Sequence, residues 1–122
     1  MAKLESLNIN PYGDPFYYDI FFTDSEGWGK ILYDLIFNSN LYQTGIFTCL
    51  NYSLKAFNEC CERYRLNGLL TVFGMTELGY HAFNIFYDGS GFLLWEPNEG
   101  FPFSGSAFEI GEYGYQPQIV LI

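Results

Sequence analysis

Tyr80-His-Ala-Phe-Asn-Ile-Phe-Tyr-Asp-Gly-Ser-Gly-Phe-Leu-Leu-Trp95 decides the fold class of this chain. Two runs of aromatic and branched residues flank Asp88-Gly-Ser-Gly91, a turn sequence that reverses the backbone. The stretch reads as an antiparallel hairpin with strands over 80–87 and 91–95. Outward from it, 69–73 is a further short apolar run, and 116–122 ends in Ile-Val-Leu-Ile and reads as a buried final strand. Between hairpin and final strand, 97–114 is rich in Gly, Pro, Ser and Phe, which predicts a surface excursion.

Upstream the period changes. Trp28, Ile31, Leu32, Leu35 and Ile36 recur at helical spacing behind Thr23-Asp-Ser-Glu26, which has the form of a capping box. A helix over 24–38 is expected, closed by Asn38-Ser-Asn40. Thr48 is the expected N-cap of a second helix, on which Leu50, Leu54, Phe57, Cys61 and Tyr64 form one apolar stripe. Arg63 and Arg65 suit its negative pole, and Asn67-Gly68 stops it. Residues 8–15 read as loop, and 16–22 as a first strand or a packed lead-in to the first helix. The whole is an α+β fold, N-terminal helices packed on an antiparallel sheet, in a single domain over 1–122.

Composition narrows the function classes. Aromatic residues make up 21% of the chain, too many for disorder. Fourteen acidic residues against five basic ones leave a formal charge of −9, which repels phosphate backbones and argues against nucleic acid and anionic membrane as partners. No apolar run reaches the roughly 18 residues of a membrane span. The first residues, Met-Ala-Lys-Leu-Glu-Ser-Leu7, lack the basic region and apolar core of a secretory signal, so a cytoplasmic protein is expected. The three cysteines are odd in number and two of them, Cys60 and Cys61, are adjacent; neither a disulfide framework nor a zinc spacing emerges, and reduced thiols are expected.

Chemistry gathers at three places. Cys49 opens the second helix, where unpaired amides and the positive dipole end stabilise a thiolate. Cys60 and Cys61 lie mid-helix and read as small buried hydrophobes. His81, the only histidine, lies on the first hairpin strand, where it can take the thiol proton if that strand packs on the helix start. Glu96 ends the returning strand and is the first choice to orient the imidazole, with Asn98 second. Asn84 is of opposite parity to His81 and should face the other side. Gln43, six residues before Cys49, can donate to an oxyanion beside the Cys49 N–H.

The helix-borne cysteine, the strand His81-Ala-Phe-Asn84 and the later Trp95-Glu-Pro-Asn98 resemble the papain-like and transglutaminase-like superfamily of cysteine enzymes. The pair Gln43-x5-Cys49 is similar to the papain oxyanion arrangement. The histidine and glutamate segments look still more like a minimal branch, the cysteine-protease-like domain of some fungal agglutinins, whose third member is a glutamate. The resemblance spans about residues 43–122. It implies a cysteine proteinase fold and a Cys49–His81–Glu96 triad assisted by Gln43. No cofactor or metal is expected. The flanks depart from papain: Phe47-Thr48 precedes Cys49 and Leu50-Asn51 follows it, where papain has a flanking glycine and a following tryptophan. A chain of 122 residues leaves little room for a two-lobed cleft, so substrate subsites do not carry over. Either 101–108 lines a shallow groove or a partner chain completes the site.

Two functions are therefore expected to compete. One is a hydrolase or acyltransferase acting on peptide, protein or amide substrates. The other is a binding module on the same fold, for which exposed aromatics in 101–115 would form a patch for a partner or a second copy of the chain.

Overall fold

The computed structural model describes residues 4, 6–17 and 19–122. Its elements are β1 (Asn10–Pro11), α1 (Ser25–Leu32), α2 (Cys49–Tyr64), β2 (Leu70–Thr76), β3 (Gly79–Tyr87), β4 (Phe92–Trp95) and β5 (Gln116–Leu121), with short 3-10 turns at Tyr33–Leu35, Ser39–Leu41 and Glu112–Gly114. The five strands form one sheet in the order β1-β5-β2-β3-β4. Pairing is antiparallel from β5 to β4, while β1 joins β5 in parallel. The α+β expectation holds, but the sheet is mixed: residues 10 and 11, expected as loop, hydrogen-bond to its edge.

Each helix starts for a local reason. Asp24, one residue after the expected cap Thr23, accepts from the Gly27 N–H at 2.8 Å and opens α1. This helix ends at Leu32 rather than 38, tightening into 3-10 geometry at Tyr33–Leu35. Thr48 caps α2 as expected, and the Asn51 side chain closes the box by accepting from the Thr48 N–H at 3.0 Å. Helix α2 ends at Arg65 in the left-handed conformation, ahead of Asn67-Gly68. Asn67 is instead a clamp: it donates to the Asp19 carbonyl and accepts from the Phe21 N–H at 2.7 Å. Residues 16–22 form no strand among the described positions, and of the packed lead-in only Ile20 packs on the core, while Phe16, Phe21 and Phe22 are exposed.

The buried face of α2 differs from the expected stripe. Tyr52, Ser53, Ala56 and Cys60 face the core, whereas Leu50 is exposed and Cys61 half-buried. Small side chains let the helix approach β2 and β3 closely. Leu54 and Phe57 turn to a flanking pocket of about 270 Å³, shared with Tyr12, Phe16 and Tyr17. At the contact, the Ser53 hydroxyl meets Thr71 Oγ1 at 3.0 Å and donates to the Phe83 carbonyl at 2.7 Å. Asn84 Nδ2 donates to the Ser53 and Leu70 carbonyls. Asn84 thus faces α2, away from His81, as its parity requires.

Two apolar clusters lie on either side of the sheet. One packs Trp28, Leu32, Leu35, Ala56 and Cys60 against Phe86 and Trp95. The other gathers Phe83, Ile85, Leu94, Val120 and Tyr115 with Phe108. Phe108 corrects the surface excursion expected for 97–114: it is 4% exposed and exchanges both backbone hydrogen bonds with Leu94, so the segment folds back beside β4. Phe101 and Phe103 are half-buried and pack tilted and edge-on within this layer, which leaves Tyr113 as the exposed aromatic of 101–115. Among the described residues, no helix is long and apolar enough to cross a membrane.

The register of β2 and β5 slips between Phe73 and Gly74, where a Cβ on Gly74 would lie 2.0 Å from the Gln116 carbonyl oxygen. Gly74→Ala is expected to lower stability by about 2 kcal/mol, read as a lower urea midpoint. An unchanged midpoint would show that the two backbones do not meet there.

Candidate active site

Strand β4 pairs only with the Asn84–Tyr87 half of β3. The Gly79–Phe83 half therefore has no strand neighbour on that side, and the start of α2 takes the place. The Ala82 N–H donates to Cys49 Sγ at 3.4 Å. Cys49 is thus the first helical residue of α2 and also an acceptor for a free strand-edge amide.

His81 lies one residue earlier on β3, near enough to Cys49 that the ring and the thiol shift each other's titration. Its Nε2 meets Glu96 Oε1 at 2.6 Å, which leaves Nδ1 for the thiol. The hairpin register explains this reach. Asn84 opposes Trp95, so Glu96 falls beside Phe83 on the same face as His81, a diagonal neighbour. Glu96 is 1% exposed at its side chain, and His81 13%. The turn after Trp95 is tied down by Phe37, which donates to the Pro97 carbonyl and accepts from the Glu99 N–H.

The other two sequence candidates behave differently. Asn98 does not orient the imidazole with its side chain, which accepts from the Gly100 N–H at 2.9 Å. Its backbone N–H donates to Glu96 Oε2 at 3.3 Å, so it supports the carboxylate. Gln43 is exposed, and its backbone exchanges hydrogen bonds with Phe47 across a tight turn just before α2. No hydrogen bond joins its carboxamide to Cys49, His81 or Glu96 among the described residues.

Two further residues complete the site. The Tyr115 hydroxyl donates to Glu96 Oε1 at 2.8 Å, and its ring stands edge-on to His81 at 5.8 Å between centroids. The Phe101 ring lies 5.4 Å from the imidazole. Neither position carries a motif. Tyr115 follows a Gly-rich stretch, and only the return of 97–114 across the sheet brings it near residue 96.

Electrostatics follow from this arrangement. Burial pushes the Cys49 thiol up, but hydrogen bonds from His81 and the Ala82 N–H and the charge of the imidazolium together outweigh it, so the thiol titrates below its usual range. Burial pulls His81 down, yet the partners Cys49 and Glu96 raise it to about 9. Burial holds Cys60 at about 12 and raises Cys61 as well. The chain therefore contains one thiol set up to ionise as a thiolate–imidazolium pair and two that are not. Such a pair can attack an electrophilic carbonyl. Among the described residues, no group of three or more His, Cys, Asp or Glu side chains is placed to hold a metal ion.

Comparison with known proteins adds a fold and little else. No family model matches the chain, and no curated protein does. Among solved structures it is similar to a chain described as a PSL1a-E64 complex, with a TM-score of 0.67 at 14% identity. The match covers 99% of this chain and 49% of that one, so this chain spans about half its neighbour's length. At that identity the likeness is one of fold.

Alkylation of Cys49 by iodoacetamide is expected to reach its plateau near or below neutral pH, with Cys60 and Cys61 slow. In His81→Ala the rise should move up toward the free-thiol value of about 8.5. A profile climbing to that value in both proteins would show an ordinary cysteine.

Proposed function

We propose that this chain is a cysteine-nucleophile hydrolase or acyltransferase with a papain-like core, acting on amide or peptide bonds. The observation that carries the reading is the chain of contacts from Cys49 through the His81 ring to Glu96 Oε1, with the thiol at a helix N-terminus. Among solved structures, the fold neighbour's description names E64, a cysteine protease inhibitor, which is in keeping with thiol chemistry on this fold.

The chemistry runs in two halves. The Cys49 thiolate adds to the carbonyl carbon, and the C=O π electrons move to oxygen. The Cys49 N–H has no intrahelical acceptor in the first turn and is one donor to that oxyanion. The Gln43 carboxamide is the candidate for the other. The His81 imidazolium gives its proton to the leaving nitrogen, the C–N bond breaks, and a thioester remains. Water or an amine then attacks the thioester while neutral His81 takes its proton. The C–S bond breaks, restoring thiolate and imidazolium. Glu96 keeps the ring in one tautomer and balances its charge throughout.

E64 should add covalently to the wild type, with the mass increase mapping to Cys49 and absent from Cys49→Ala. Cleavage of an unfolded protein substrate should vanish in the same variant. Neither adduct nor cleavage in the wild type would move the function to the binding module. In a cleaving enzyme, Gln43→Ala is expected to lower kcat about 10²–10³-fold; an unchanged kcat would remove Gln43 from the oxyanion site.

A further inference from the structure

Glu96 Oε1 accepts from two donors: His81 Nε2 at 2.6 Å and the Tyr115 hydroxyl at 2.8 Å. Among the described residues, the other oxygen, Oε2, is held only by the Asn98 N–H at 3.3 Å. Tyr115 is therefore the second short contact on Oε1, and the one that does not come from the imidazole.

The ring and the hydroxyl of Tyr115 have separable reasons to exist. Its ring is boxed by Phe83 at 4.8 Å, Phe108 at 5.1 Å and Phe103 at 5.6 Å, all edge-on. Phenylalanine would fill this box equally well. The backbone is pinned too, with the Tyr115 N–H on the Glu112 carbonyl and its own carbonyl accepting from the Gly111 N–H. The preceding Gly114 has a φ of +75°, and a Cβ there would meet Glu77 Cγ at 2.6 Å, so the position is set against the β2–β3 turn. The hydroxyl adds nothing to this packing. Buried at 2% exposure, it would cost stability unless partnered, and the partner is Glu96. Burial and the Glu96 charge hold the phenol above its usual range, so it remains a donor wherever the site works.

We propose that Tyr115 is a positioning residue: its hydroxyl locks Glu96 Oε1 onto His81 and so maintains the imidazolium that Cys49 requires. This rests on the reading of Cys49, His81 and Glu96 as a catalytic set. The titratable groups that face the imidazole are Cys49 from α2, Glu96 from the turn after β4, and Tyr115 itself. Loss of the hydroxyl frees the carboxylate to rotate, weakens its pairing with His81, and lowers the proton affinity of the ring.

Because His81 is the only histidine, one imidazole signal reports the effect by NMR, without any substrate. In Tyr115→Phe the His81 midpoint is expected to fall from about 9 by about one pH unit or more. The rise of Cys49 alkylation should move up in pH by a similar amount in a variant that remains folded. In a Glu96→Gln background, Tyr115→Phe should shift the midpoint no further. A midpoint that stays or rises overturns the proposal; a rise would mean that the hydroxyl only reduces the basicity of Glu96. If Tyr115→Phe does not fold, the wild-type hydroxyl proton serves instead. Its chemical shift should track the His81 titration, and a shift that stays flat through it also overturns the proposal. The readout is independent of turnover, so a missing activity and a missing role for Tyr115 are distinguishable.

Discussion

Helix α2 sits close to the sheet because its core face is made of small residues, and the site depends on that closeness. Ser53 and Ala56 leave room for the helix backbone to approach β3, and the Ser53 hydroxyl reaches the Phe83 carbonyl at 2.7 Å. That contact sits one turn past Cys49. It holds the helix start over the half of β3 that β4 leaves open, where the Ala82 N–H would otherwise lack a partner. A larger residue at 53 or 56 would lift the helix and carry the thiol away from His81.

The second constraint is a buried carboxylate. Glu96 is almost wholly removed from water, and an unpaired charge there would be strongly destabilising. It is accommodated by three donors: the imidazole, the Tyr115 hydroxyl and the Asn98 N–H. Aromatic rings from Phe83, Phe101 and Tyr115 surround the imidazole. They exclude water and strengthen the electrostatic coupling between thiol, ring and carboxylate. Phe101 and Tyr115, both on the segment that returns after β4, therefore supply the low-dielectric wall opposite the strand.

Much of this was legible in one dimension, and the failures have physical causes. Strand and hairpin signals at 80–95 were sound because apolar and aromatic runs on either side of an Asp-Gly turn are local features. The cysteine, histidine and glutamate were readable because each lies at an element end or on a strand of known parity. The apolar stripe of α2 misled because helix packing selected small residues, which hydrophobicity alone does not rank highly. Residues 97–114 read as surface because Gly and Pro signal turns and say nothing of where the phenylalanines between them go.

Local chemistry written in the sequence determined where the two helices begin and where the hairpin turns, that Cys49 would open a helix, and that Glu96 would follow a strand returning toward His81. Only the tertiary structure decided that the open half of β3 would be filled by the start of α2, and that Oε1 of Glu96 would be shared between His81 and Tyr115. The reason is range. Caps, turns and strand parity act over a few residues. The contacts that assemble the site join positions 33 and 19 residues apart, and these depend on how whole elements pack.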